Sequence, residues 1–201
     1  MKILYLHGIG SGANSRTPSE LRKDFPDAVI EAPELPARPM EAYQFLKDNY
    51  WPKAYDLIIG TSLGGFYAMA FPAGKKLLVN PAMFADTDIK DGIGLGAQPF
   101  FTARSDGSTE YIIDEAFINE LAEIRRKIYY DTEGADDSQL IDEAKHNTWG
   151  LFGIRDELLH HYEDFCSYYI PEHVICCEAE HRLSTDEIHG VLTPFIKKIL
   201  A

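Results

Sequence analysis

Six short runs set the rhythm of the chain: KILYLH (2–7), AVIEA (28–32), YDLIIG (55–60), KLLVN (76–80), TWGLFGI (148–154) and HVICCEA (173–179). Several are apolar throughout instead of alternating, which is how strands read when both of their faces are covered. Helix signals separate them. TPSELRKDF (17–25) offers Thr17 as N-cap, Pro18 at the first helical position and Glu20 three residues after the cap, the pattern of a capping box. MEAYQFLKDNY (40–50) has Ala42, Phe45, Leu46 and Tyr50 at helical spacing and stops before Pro52. Residues 63–71, 157–169 and 185–200 complete the helical set. Strand and helix in succession predict βαβ units, and so one α/β domain with a sheet of about six mostly parallel strands and helices on both faces. A length of 201 residues suits one such domain with a full core.

The rhythm breaks between about 82 and 146, which reads as a partly helical, cap-like insertion after the fourth strand. Residues 91–110 are glycine-rich and irregular. Residues 114–130 form an amphipathic helix with Phe117, Ile118, Leu121 and Ile124 on one face, and the acidic stretch after them suggests a short helix at 137–145. The loop after a parallel strand opens at that strand's C-terminal edge, so the insertion is expected to cover that edge. Phe100, Phe101 and Tyr111 are then either pocket lining or packing.

IIGTSLGGFYAMA (58–70) contains G-x-S-x-G with a strand before it and a helix after it, the context this motif needs. The turn lifts Ser62 above the sheet edge, and glycines at 60 and 64 clear space for it. A serine hydroxyl is a weak nucleophile and requires a base. Of the seven histidines, His181 follows the strand 173–179 on the same edge as Ser62. His160, His161 and His189 fall in helices, His146 in the insertion, His173 at a strand start, and His7 too early in the chain. The base requires an orienting carboxylate. Asp156 follows the strand 148–154 on the active edge, Glu157 is the reserve, and Asp86 or Asp88 is a lesser alternative. The order Ser62, Asp156, His181 is that of α/β-hydrolases. The glycine-rich HGIGSGANS (7–15) brings a second backbone close, which makes the amides of Ile9 and Leu63 the expected oxyanion donors and His7 a loop brace. The phosphate-loop patterns G-x-x-x-x-G-K-[ST] and G-x-G-x-x-G are both missing.

YLHGIGSGANS, GTSLGGFYA, LVNPA, FGIRDELL and EAEHRLS together resemble the small bacterial YqiA/YcfP-like (UPF0227) α/β-hydrolases. The resemblance implies an esterase-type enzyme with a compact core that lacks the two leading antiparallel strands of larger relatives. It implies a Ser–Asp–His triad at Ser62, Asp156 and His181. The expected activity is hydrolysis of a small-molecule carboxylic ester or thioester without a cofactor or metal. Two alternatives remain open: the fold kept as a binding module without turnover, and an acyltransferase or peptidase using the same triad.

Charge narrows the partners. Asp and Glu outnumber Lys and Arg by 32 to 19, a net −13, so nucleic acid and anionic membrane surfaces are not expected partners. There is no 18-residue apolar run and no signal-like start, and Cys166, Cys176 and Cys177 are too few and too odd for a disulfide framework, so a cytoplasmic location is expected. The adjacent Cys176 and Cys177 read as core residues. No segment specifies an oligomeric state.

Overall fold

In the computed structural model, which describes residues 1–129 and 143–201, six parallel strands form one sheet. They are β1 (Lys2–Leu6), β2 (Val29–Glu31), β3 (Leu57–Thr61), β4 (Lys76–Val79), β7 (Thr148–Gly153) and β8 (Val174–Cys177), in the order β2-β1-β3-β4-β7-β8. Each matches a run expected to be a strand. Successive residues on a strand point to opposite faces, and here both faces are buried. Leu4, Leu6, Ile58, Leu78 and Phe152 pack on one side of the sheet, and Ile3, Tyr5, Leu57, Ile59, Leu77, Val79 and Leu151 on the other. That double burial is why the strands read as continuous apolar runs.

The first face is covered by α2 (Pro39–Asn49), α3 (Leu63–Met69), α5 (Glu115–Tyr129) and α6 (Tyr162–Tyr168), through residues such as Leu46, Phe66, Leu121 and Phe165. The second is covered by α1 (Arg16–Asp24) and a C-terminal helix, α7. The latter runs from Thr185–Glu187 through a π-helical turn at Ile188–Leu192 into Thr193–Leu200. Truncating a fully buried residue such as Leu78 to Ala costs about 2–5 kcal/mol.

Between β4 and β7 lie α4 (Ala85–Gly92), the antiparallel pair β5 (Gly96–Pro99) and β6 (Glu110–Ile113), and α5. The hairpin corrects the expectation of an irregular 91–110. On α5, Phe117, Ile118, Leu121 and Ile124 are all buried, so that face packs. Most of the helix expected at 137–145 lies outside the described residues; 143–146 are helical.

Three further expectations change. Helix α1 begins two residues early, with Ser15 at the cap position and Pro18 inside the first turn, where its missing N–H costs nothing. Thr17 is therefore no cap; the capping box in the fold is Ser184 with Glu187. Helix α6 begins at Tyr162, because the Asp156 side chain holds residues 158 and 159 in a turn before it. Cys176 is exposed and Cys177 half-buried, because β8 is an edge strand with little covering it.

The chain leaves β1 for β2 on one side and returns to β3 on the other. This reversal opens a crevice beyond the C-terminal ends of β1 and β3, where open parallel sheets bind ligands.

Candidate active site

Ser62 stands at that crevice. It joins β3 directly to α3 and has φ 56° and ψ −122°, a strained conformation for a non-glycine residue. The turn exists because its neighbours have no side chains. A Cβ on Gly60 would strike the Gly64 carbonyl, and one on Gly64 would strike the backbone of Leu6 and His7. Gly8 brings the loop after β1 equally close: its Cβ would lie 3.1 Å from the Ser62 Cβ. Among the described residues, the Ile9 and Leu63 amides have no hydrogen-bond acceptor, and both residues line the cavity beside Ser62.

Asp156 follows β7 and is 2% exposed. Its Oδ1 accepts from the Leu158 and Leu159 amides at 2.8 and 3.0 Å, and its Oδ2 accepts from His181 Nδ1–H at 2.8 Å. Burial pushes this carboxyl up, but the His181 bond and charge and the two amides outweigh it and hold it below its ordinary value. With Nδ1 donating to Asp156, the other ring nitrogen, Nε2, is left toward the cavity. No hydrogen bond joins Nε2 to the Ser62 hydroxyl here; such pairs are often long without substrate.

The remaining candidates separate. Glu157 is exposed. Asp86 pairs with Arg125, and Asp88 bonds His161 Nε2 at 2.9 Å, so neither reaches His181. His7 donates from Nδ1 to the Gly8 carbonyl and accepts the Leu35 amide at Nε2, as a brace would. Burial pushes its pKa down.

Asn80 had no assigned role in the sequence. It ends β4 with φ 42° and is 1% exposed. Its Nδ2 donates to the Glu180 and His181 carbonyls at 3.1 and 3.0 Å, and its Oδ1 accepts the Gly153 amide at 2.8 Å. One amide thus ties together the two loops that carry His181 and Asp156. A polar residue closing a buried apolar strand on the active edge is the signal that marks it.

A cavity of about 390 Å³ holds Ser62 and His181. Ile89, Ile93, Leu158 and Leu159 supply apolar wall. Phe101 and Tyr111 from the segment between β4 and β7 also line it, while Phe100 instead packs on Tyr111 and Arg104. This segment therefore contributes both lining and packing. Among the described residues no helix is long and apolar enough to cross a membrane.

These features define an α/β-hydrolase fold. Alpha/beta hydrolase domain-containing protein 10 from mouse shares it at a TM-score of 0.65 and 15% identity, over 99% of this chain and 89% of that one. The esterase domain of a Rhodothermus marinus protein matches at TM-score 0.56 and 17% identity, over 100% and 88%. The thioesterase domain from the curacin biosynthetic pathway matches at 0.55 and 13%, over 98% and 90%. Among curated proteins, none matches this chain in sequence. Residues 2–193 match UPF0227, described as an uncharacterised protein family, and the chain belongs to that family.

Proposed function

We propose that the protein is a serine hydrolase that cleaves a carboxylic ester or thioester through an acyl-enzyme on Ser62. The observation that carries this reading is the buried Asp156–His181 bond of 2.8 Å, opening on the cavity that also holds Ser62 on its strained turn. Esterase and thioesterase domains share the fold, so acyl esters and thioesters are the first substrates to try.

Ser62 Oγ attacks the acyl carbonyl carbon as its proton passes to His181 Nε2. The carbonyl π electrons move onto oxygen, and the Ile9 and Leu63 amides hold that oxyanion. When the oxyanion collapses, the bond to the leaving oxygen or sulfur breaks, and Nε2–H protonates the departing atom. Water then attacks the Ser62 ester and gives a proton to Nε2. The second collapse releases the carboxylic acid and returns that proton to Ser62 Oγ. Asp156 stays ionised throughout, fixing the tautomer and stabilising the imidazolium.

The test is a fluorophosphonate probe together with an acyl-length series of p-nitrophenyl and CoA esters. Labelling and turnover in the unsubstituted protein, both lost in Ser62→Ala, are the expected result. No labelling and no turnover across the series would sink the reading.

A further inference from the structure

The cavity lining is not uniform. Beside its apolar wall, it has a polar sector made by the loop after β1, the start of α1, the end of β3 and the residues after His181. The Tyr5 hydroxyl lies 3.1 Å from the Thr61 hydroxyl, the Ser15 hydroxyl is buried there without a hydrogen-bond partner among the described residues, and Thr17 stands beside them. All four line the cavity. Two guanidinium groups stand at the exposed lip of this sector, Arg16 and Arg182.

Neither arginine has an ion-pair partner among the described residues. Arg38, Arg104, Arg125 and Arg155 each pair with at least one carboxylate, whereas Arg22 and Arg126 also have no ion pair among the described residues, so it is their place at the cavity lip that sets Arg16 and Arg182 apart. Arg16 instead donates one Nη1 bond to the Leu183 carbonyl at 3.2 Å, which brings it to the loop that carries Arg182. Arg182 lies over the Phe101 ring at 4.0 Å. Stacking of this kind holds a guanidinium in place while leaving its N–H edge free. The cavity's own carboxylate, Asp88, is occupied by His161 Nε2 at 2.9 Å and by the Phe84 amide. The lip therefore presents two positioned donor forks without ion-pair partners above a floor of hydroxyls, an arrangement complementary to an anion.

We propose that the substrate bears an anionic group, a carboxylate or a phosphate ester, held by Arg16 and Arg182 while its acyl carbonyl lies at Ser62. This rests on the serine-hydrolase reading above. It also accounts for an acidic protein keeping positive charge at its cavity lip, since the local field draws an anion that the rest of the surface repels.

Matched substrate pairs test it. Mono-p-nitrophenyl glutarate against p-nitrophenyl valerate places a carboxylate at the acyl end. Acetyl-CoA against S-acetyl-N-acetylcysteamine places phosphates on the leaving group. The readout is the ratio of kcat/KM, anionic over neutral, which cancels any general loss of activity. In at least one pair the ratio is expected to exceed about tenfold, to fall by a similar factor in Arg16→Gln and Arg182→Gln, to be partly kept in Arg182→Lys, and to shrink as salt is added. Ratios near one in both pairs, or ratios indifferent to the double substitution, overturn the proposal when the fluorophosphonate still labels Ser62. Failure of that labelling would instead strike the hydrolase reading. Calorimetric binding of glutarate and of CoA then decides the anion site alone. Binding by the unsubstituted protein that vanishes in the double variant supports it, and no difference between the two overturns it.

Discussion

Asn80 shows how much of this site hangs on one side chain that takes no part in proton transfer. Its amide makes three bonds, two to the carbonyls of Glu180 and His181 and one to the amide of Gly153. Gly153 also permits the approach: a Cβ there would strike the Ala179 carbonyl and lie 2.9 Å from the Glu180 carbonyl. The loop with His181 and the loop with Asp156 are thus pulled together at their roots. Asn80→Ala leaves two carbonyls and one N–H buried without partners, at a cost of about 2–4 kcal/mol in stability. Its more informative effect is on geometry. The Asp156–His181 bond is expected to lengthen, and kcat to fall by about tenfold or more while KM changes little, because positioning acts on the chemical step. Steady-state kinetics with thermal melts check this. A kcat that survives while Tm drops would reduce Asn80 to a structural residue.

At the scale of elements, the loop after β1 is held from two sides. Gly8 lets it approach Ser62, and Gly10, at φ 69°, turns it toward the residues that follow β5. There the Phe101 amide donates to the Gly10 carbonyl at 2.7 Å, and a Cβ on Gly10 would lie 2.7 Å from the Phe101 ring. The segment between β4 and β7 is therefore hooked to the loop that carries the Ile9 amide. Gly10→Ala meets a left-handed backbone cost of roughly 1–2 kcal/mol and pushes that hook open. The expected outcome is slower fluorophosphonate labelling, by about tenfold or more if the Ile9 amide is an oxyanion donor, with only a small loss in Tm. Unchanged labelling would detach Ile9 from the chemistry.

The same scale explains what the sequence made legible. The four inner strands were readable because double burial wrote them as apolar runs, and the partly exposed edge strands β2 and β8 because their short apolar runs keep step with the helices around them. That Ser62, Asp156 and His181 lie on one edge of the sheet was readable because each follows one of those runs. The β5–β6 pair was not, since Gly96, Ala97 and Pro99 are exposed and offer no alternation. Helix α4 was hidden in ADTDIKDG, where only Ala85, Asp86 and Ile89 are buried. Asn80, Arg16 and Arg182 act through contacts between loops distant in sequence, and no local pattern reports those.

Across the whole molecule, histidines set opposing limits on stability. Burial holds His7 below its ordinary value of 6.5, and its two bonds fit only the neutral ring. Its contribution is full above pH 6.5 and declines as pH falls from there, because the unfolded chain takes up the proton first. His161 runs the other way. Burial pushes it down, but its bonds to Asp88 on α4 and to Asp164 on α6 outweigh that and raise it above 6.5. Its contribution is full below pH 6.5 and is lost as pH climbs through the raised value. His189, raised by Asp24 at the end of α1, adds to the alkaline loss. Asp156 and Asp24, both held low, add a further acid loss as pH falls below their ordinary 3.8. These histidines thus lose stability on opposite sides of pH 6.5, with separate residues responsible for the two limbs, while buried Lys76, pushed down to about 8, offsets part of the alkaline loss above that pH. Denaturant midpoints between pH 5 and 9 test this. His161→Gln should flatten the alkaline limb and leave the acid limb in place. His7→Gln should flatten the acid limb near neutrality at a cost in overall stability. A curve that His161→Gln leaves unchanged above pH 7 would show that the link between α4 and α6 contributes nothing to holding the fold.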